Sequence, residues 1–456
     1  MSADAFDTSL KASASGQQLL ALAGSPSCGI DVRYLQYGTV GAQGEKATAT
    51  GAMYIPTGAG SCSGARPILL YAHGTNTSKD YNIALLGSTT NAAAGEAGLI
   101  AALFAAHGYI VVAPNYAGYE ASTLGYHPYL NADQQSKDMI DALSAARIAL
   151  AGLGTGTSDS GQLFITGYSE GGFVAMATHR ALQAAGQTVT ASAGQSGPYA
   201  MSLQIDAAFS GQPSLGGTVF TPLITTSWQQ AYGNLYGTPA DMYTSAFATG
   251  IDTLLPSTQT LTQLFTAGKL PQAALLGTDA LSHALAPAQF APFFGDPAAS
   301  LIKTSYANAV LADIQQNTCP NATAPGAPIS CVPAHPLRVA AKANDLRTWM
   351  PTRPVMMCGG NGDPTVFFVN AQLTQAYFQA RLAAASAPSA LTTLVDLGSA
   401  VTGASDPYAA AKVGFAQTLA AAGSATAQAQ AYHGALAPFC SAVARGFFNA
   451  QVVSVP

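Results

Sequence analysis

Unbroken apolar runs and helical patterns alternate along most of this chain. Residues 67–72, Pro-Ile-Leu-Leu-Tyr-Ala, are continuously apolar, as a strand buried on both faces should be. The longest apolar stretch runs from Ala97 to Pro114 and is interrupted by His107-Gly108. It reads as a helix over 92–107 that stops at Gly108, followed by a buried strand over 109–113, and not as a membrane span. An aromatic, glycine-bearing loop, 116–129, leads to a strongly helical stretch over 132–153. A strand through 162–166, a helix over 172–182 and a strand near 189–193 follow. Strands alternating with helices predict a parallel sheet. Ahead of this series the pattern gives a short amphipathic helix over 10–22. Two antiparallel strands follow, 30–36 and 47–55, joined by a turn at 38–41.

From residue 197 to 348 the pattern changes. Pro and Gly are frequent, apolar helices are short, and residues 318–333 form a Cys- and Pro-bearing loop. The alternation then resumes with a strand over 354–358, a helix over 367–385, a strand over 392–397 and helices over 409–422 and 435–450. The expected organisation is one α/β core in two parts, 1–196 and 349–456, with 197–348 as an inserted, mainly helical cap. No internal repeat is visible.

Composition narrows the class. Only 9% of the 456 residues are charged, against 49% hydrophobic, well under the usual charged quarter. The net charge of −5 gives no basic footprint for nucleic acid. Mean hydropathy is +0.23, yet no transmembrane segment is expected. The six cysteines, Cys28, Cys62, Cys319, Cys331, Cys358 and Cys440, contain no C-x-x-C pair, which weakens metal readings. Proximity points to Cys28–Cys62 and Cys319–Cys331, leaving Cys358–Cys440. Disulfides imply an oxidising compartment. Met1-Ser2-Ala3-Asp4 has neither the basic nor the apolar region of a signal peptide. The expectation is therefore the mature form of a secreted or periplasmic protein.

The chemistry is carried by Gly167-Tyr168-Ser169-Glu170-Gly171. A G-x-S-x-G pentapeptide between a strand and a helix is the context of a nucleophile elbow. With 46 glycines the pentapeptide alone can arise by chance; strand before, helix after and partners further on give it weight. A serine hydroxyl needs a base, and the base needs a carboxylate to fix its tautomer. In this arrangement the order is Ser, then acid, then His. Asp363 ends the glycine-rich segment Gly359-Gly360-Asn361-Gly362-Asp363-Pro364 just past a strand. An Asp before Pro is also a common helix start, and Asp396 and Asp406 are alternative acids. His433 is the sole histidine after Asp363 and is read as lying on a loop before the last helix. The oxyanion donors expected are the backbone N–H groups of Glu170 and Thr75. The Glu170 side chain faces either the pocket or a neighbouring loop. His73 is read as packing the Thr75 loop. His107, His127, His179, His283 and His335 lack metal-like spacing and are read as structural or surface residues.

Together, His73-Gly74-Thr75, the elbow, Asp363 and His433 resemble the α/β-hydrolase superfamily over about residues 30–200 and 350–450. More narrowly, the length, the cap and the Gly-Tyr-Ser-x-Gly-Gly elbow are similar to the secretory lipases related to fungal lipase A. The resemblance implies a mostly parallel central sheet flanked by helices. It also implies a serine ester hydrolase, either lipase, carboxylesterase or polyester-degrading esterase, needing no cofactor and no metal. Its partner would be a small-molecule or polymeric ester. The alternatives are a serine peptidase on the same scaffold, which would need cap carboxylates to hold an amine, and a non-catalytic binding protein.

Overall fold

In the computed structural model of the chain, residues 1–319, 326 and 329–453 are described. The expected loop 318–333 lies partly outside them. Ten strands occur among the described residues: β1 (Gly29–Val40), β2 (Lys46–Thr57), β3 (Gly64–Ala72), β4 (Ile110–Pro114), β5 (Thr157–Tyr168), β6 (Ala191–Gln195), β7 (Leu276–Gly277), β8 (Phe294–Gly295), β9 (Val355–Gly359) and β10 (Thr392–Asp396). Eight of them form one sheet in the order β1-β2-β4-β3-β5-β6-β9-β10. β1 and β2 form an antiparallel hairpin, and β2 meets β4 antiparallel. From β4 to β10 all neighbours run parallel.

The hydrophobic pattern explains the layering. Every residue of β4, β6 and β9 is buried, because crossover helices cover both faces of a parallel sheet. The crossovers are Ala94–Leu103, Ala132–Leu153, Glu170–Ala184 and Val369–Ala384. All of them return the chain so that β3, β5 and β9 end on the same edge. That edge, at the carboxyl ends of the strands, is where ligands bind in open α/β sheets.

Several boundaries differ from expectation. The helix expected over 10–22 is two helices, Ala3–Lys11 and Ala14–Ala23. Ser13 separates them, its hydroxyl accepting from Gly16 N as a new N-cap. The expected turn at 38–41 is mostly strand, and the hairpin instead turns at 41–45, where Gly41 N donates to Glu45 O at 2.7 Å. The last helix begins ten residues earlier than read, spanning Ala425–Asn449 with Pro438 inside it.

Between β6 and β9 the chain leaves the sheet. This excursion contains the helices Met201–Phe209, Gly217–Tyr232, Pro239–Met242, Leu261–Thr266, Thr304–Gln316 and Pro336–Ala343. It also contains the short parallel pair β7–β8, which the pattern had not shown. It is anchored to the sheet layer by hydrogen bonds between buried groups. Trp228 Nε1 donates to Leu130 O at 3.1 Å, and Ala132 N donates to Asn344 Oδ1 at 2.9 Å.

Candidate active site

β5 ends at Tyr168, and the next residue, Ser169, has φ 60° and ψ −120° before the helix Glu170–Ala184 begins. A non-glycine residue in this region is strained and persists only where its surroundings over-determine it. Two glycines make the turn possible. A Cβ at Gly171 would lie 2.0 Å from Ala72 O, and one at Gly167 would lie 2.3 Å from Gly171 O. The turn holds the serine at the edge of the sheet, 7% exposed.

The three residues singled out in the sequence meet here. His433 Nε2 is 2.8 Å from Ser169 Oγ, and His433 Nδ1 is 2.7 Å from Asp363 Oδ2. Asp363 sits in the loop after β9, its Oδ1 accepting from Thr365 N at 2.9 Å and Val366 N at 3.2 Å. The backbone thus fixes one carboxylate oxygen and leaves the other for the imidazole. The Asp363-Pro364 pair does not cap the following helix, which starts at Val369 with Phe368 before it. Asp396 Oδ1 accepts from Asn361 N at 3.0 Å and Gly398 N at 2.9 Å, and so holds the acid loop in place. Asp406 pairs with Lys412 at 2.8 Å.

His433 lies within the helix Ala425–Asn449, not on a loop. A histidine projecting from a helix needs the helix itself to be placed. Tyr168 donates its hydroxyl to His433 O. Burial, followed by the nearby Asp363 charge, raises this phenol well above its usual range, so it stays a donor. Gly362 N donates to Tyr432 Oη at 3.1 Å, joining the histidine helix to the acid loop. The Cys358–Cys440 disulfide joins the same helix to β9. Cys28–Cys62 and Cys319–Cys331 are bonded as well.

The expected oxyanion residues flank the serine. Glu170 is the first residue of its helix, where backbone N–H groups have no intrahelical partner. Its side chain turns away from solvent. Oε1 accepts from Gln135 Nε2 at 2.6 Å and lies 2.7 Å from His127 Nε2. The open question about this side chain is settled by these contacts: it bonds neighbouring elements. Thr75 follows β3, and its hydroxyl is 2.7 Å from Tyr129 Oη. Gly74 N donates to Glu96 Oε1 at 2.9 Å, and the same carboxylate accepts from Tyr71 and Tyr81, each at 2.8 Å. Sequence reasoning passed over Glu96 and Gln135, read His127 only as a structural or surface residue, and took Tyr129 only as part of the aromatic loop. They belong to no motif, and only the aromatic density of 116–129 hinted at a built segment.

Two cavities meet at Ser169. One, of about 70 Å³, is lined by Met201, Ile205, Phe209, Phe220 and Ile224. The other, of about 470 Å³, is bordered by Thr75, Asn76, Glu96, Tyr168 and His433. A small apolar slot and a wider cleft of mixed lining therefore both reach the Ser169 hydroxyl, with Phe220 bordering each.

Strand order, elbow and inserted helices define an α/β-hydrolase. Residues 97–205 match the family model of the prolyl oligopeptidase family. No curated protein sequence matches the chain. Among solved structures, the rice cell wall degrading esterase LipA from Xanthomonas oryzae is 26% identical with a TM-score of 0.73, covering 99% of this chain and 96% of that one. A Legionella pneumophila protein shares the fold at 17% identity and TM-score 0.67, covering 99% and 95%. Candida antarctica lipase A shares it at 14% identity and TM-score 0.51, covering 80% and 71%. The chain is a carboxylic ester hydrolase of the α/β-hydrolase superfamily.

Proposed function

We propose that the chain hydrolyses carboxylic esters through a Ser169–His433–Asp363 triad and an acyl-enzyme. Ser169 Oγ attacks the ester carbonyl while His433 Nε2 takes its proton. The carbonyl oxygen becomes an oxyanion held by the N–H groups of Glu170 and Thr75. His433 returns the proton to the departing alcohol. Water then attacks the acyl-enzyme by the same route and frees the acid. Asp363 holds Nδ1–H and steadies the imidazolium. The observation that carries this reading is the unbroken pair of contacts from Ser169 Oγ to His433 to Asp363, 2.8 Å and 2.7 Å long.

The apolar slot supports an acyl site, and the wider cleft, which His433 borders, supports a site for the departing alcohol. Residues 197–348 act as a cap over both, and the core comprises 1–196 and 349–456. Three disulfides support a secreted or periplasmic location. Among the described residues no helix is long and apolar enough to cross a membrane.

The match to the prolyl oligopeptidase family favours one competing reading, a serine peptidase. That match spans the elbow and its flanking helices, the part common to both chemistries. An amine-binding site would need free carboxylates gathered in the cap, yet four of its seven aspartates are engaged by other side chains. Asp206 and Asp313 bind Arg338, Asp345 binds Arg347, and Asp279 accepts from Thr304. Hydrolysis of p-nitrophenyl butyrate, with an aminoacyl p-nitroanilide left intact, is the expected result. The reverse preference would establish the peptidase, and inactivity on both a binding protein. Extending the ester panel to insoluble polyesters fixes whether polymers are attacked.

A further inference from the structure

Behind the serine, four rings stand in a column with no part in the proton transfers above. Tyr81 stacks on His73 with centroids 4.2 Å apart, His73 on Tyr116 at 4.0 Å, and Tyr116 on His127 at 5.6 Å with planes 12° apart. Tyr119 contacts both imidazoles from the side, at 5.5 Å and 4.7 Å. All five rings are buried.

Each end of the column is tied to one oxyanion residue. At the first end, Tyr81 donates to Glu96, the carboxylate that also accepts from Gly74 N, and His73 beside it has Nδ1 2.7 Å from Gly74 O and Nε2 3.0 Å from Asn115 O. These contacts orient the peptide just before Thr75. At the other end, His127 Nδ1 is 2.9 Å from Ala117 O, and Nε2 is 2.7 Å from Glu170 Oε1. A carbonyl only accepts, so His127 Nδ1 carries a proton. One further proton, on the ring or on the carboxyl, completes the bond to Glu170. Tyr116, at the centre, has φ 65° and donates its hydroxyl to His73 O at 3.0 Å. Its backbone conformation is strained, as residues held for a functional purpose often are.

We infer that the column Tyr81–His73–Tyr116–His127 is a positioning device that sets the separation of the Thr75 and Glu170 N–H groups for the oxyanion. It rests on the triad reading above. Glu170 N is one bond from the Cα whose side chain His127 and Gln135 hold, so the direction of that N–H follows the carboxylate's anchorage. Preorganised donors stabilise the transition state without reorganising when charge develops. His127 and Tyr116 touch no substrate and act only through Glu170 and His73.

The test uses a trifluoromethyl ketone, which Ser169 converts to a tetrahedral oxyanion adduct, its proton passing to His433. His127→Phe keeps a ring in the stack and removes both hydrogen bonds. Its kcat should fall roughly 10- to 100-fold, less than the loss of a whole donor, while KM stays within about 2-fold. Affinity for the ketone should fall in proportion to kcat/KM, as expected of a transition-state analogue. Adding Glu170→Gln should cost little more, because the pair acts as one unit. Should His127→Phe not fold, Tyr116→Phe removes only the bond to His73 O and should still lower kcat and ketone affinity together, by several-fold. Folded variants with native kcat, or a kcat loss without a matching loss of ketone affinity, would overturn the inference alone. A native enzyme indifferent to the ketone would sink the triad reading and the inference with it.

Discussion

Asp363 divides its two oxygens between a backbone turn and His433, and that division suits it to the proposed role of the acid. Its Oδ1 is fixed by Thr365 and Val366, so Oδ2 can meet Nδ1 at little entropic cost. Asp363→Asn should keep the fold and lower kcat by about 10⁴-fold, as in the comparable protease. Asp396→Asn, which disturbs only the loop, should cost far less in the same ester assay, and the reverse ranking would move the acid to Asp396. That Ser169, Asp363 and His433 would meet was legible because the proposed chemistry asks for those residue types in that chain order. Glu96 and His127 were not. A carboxylate that accepts from two tyrosines and a backbone N–H, or an imidazole stacked on a tyrosine, is defined by neighbours brought from distant segments.

The elements were legible where periodicity was strong, as in the helix 132–153, read with its observed bounds. The histidine helix was read only from 435, which left His433 on a loop; Gly434, directly after it, is a poor helix former. Tertiary contacts outweigh that cost. Phe439, Cys440 and Ala444 are buried against the core, and the Cys358–Cys440 bond fastens this helix to β9. That bond closes a sequence separation of 82 residues. Chain entropy puts its contribution at about 4 kcal/mol. The Cys358→Ser, Cys440→Ser double variant should therefore melt lower and lose ester activity well below its new melting temperature. Full activity at 25 °C would show that the helix needs no such tie. At the elbow, Gly171→Ala forces a Cβ against the Ala72 carbonyl. The expected outcome is loss of soluble enzyme or of at least about 3 kcal/mol, within the range of severe steric mutants, measured by urea unfolding.

Across the whole molecule, two buried imidazoles weigh on the response to mild acid. Burial pushes His179 down to about 3, and burial with the Arg445 charge pushes His107 down to about 4. Both lie below the value of about 6.5 expected in the unfolded chain. Their contribution to stability is complete above that value and is lost as pH falls toward 4 and 3. Asp138 acts oppositely. Burial raises it to about 6, so its contribution is present below the unfolded value and is lost as pH rises through 6. The two histidine shifts together are larger, so the melting temperature should drop between pH 6.5 and 4. His179→Asn, which keeps a partner for Ser192, should make that drop shallower in scanning calorimetry. An unchanged slope would assign the acid sensitivity elsewhere. Fold class was read from the sequence, as was the excursion between β6 and β9, because the strand–helix alternation stops near 197 and resumes near 350. The path of that excursion was not, since its short helices are placed by anchors such as Trp228 and Asn344.

The central claim, that Ser169 is an activated nucleophile, is tested most directly by labelling with a fluorophosphonate and mapping the adduct by peptide mass spectrometry. The adduct should fall on Ser169 alone and be lost in His433→Ala. Labelling at another residue, or ester turnover that survives in Ser169→Ala, would contradict it.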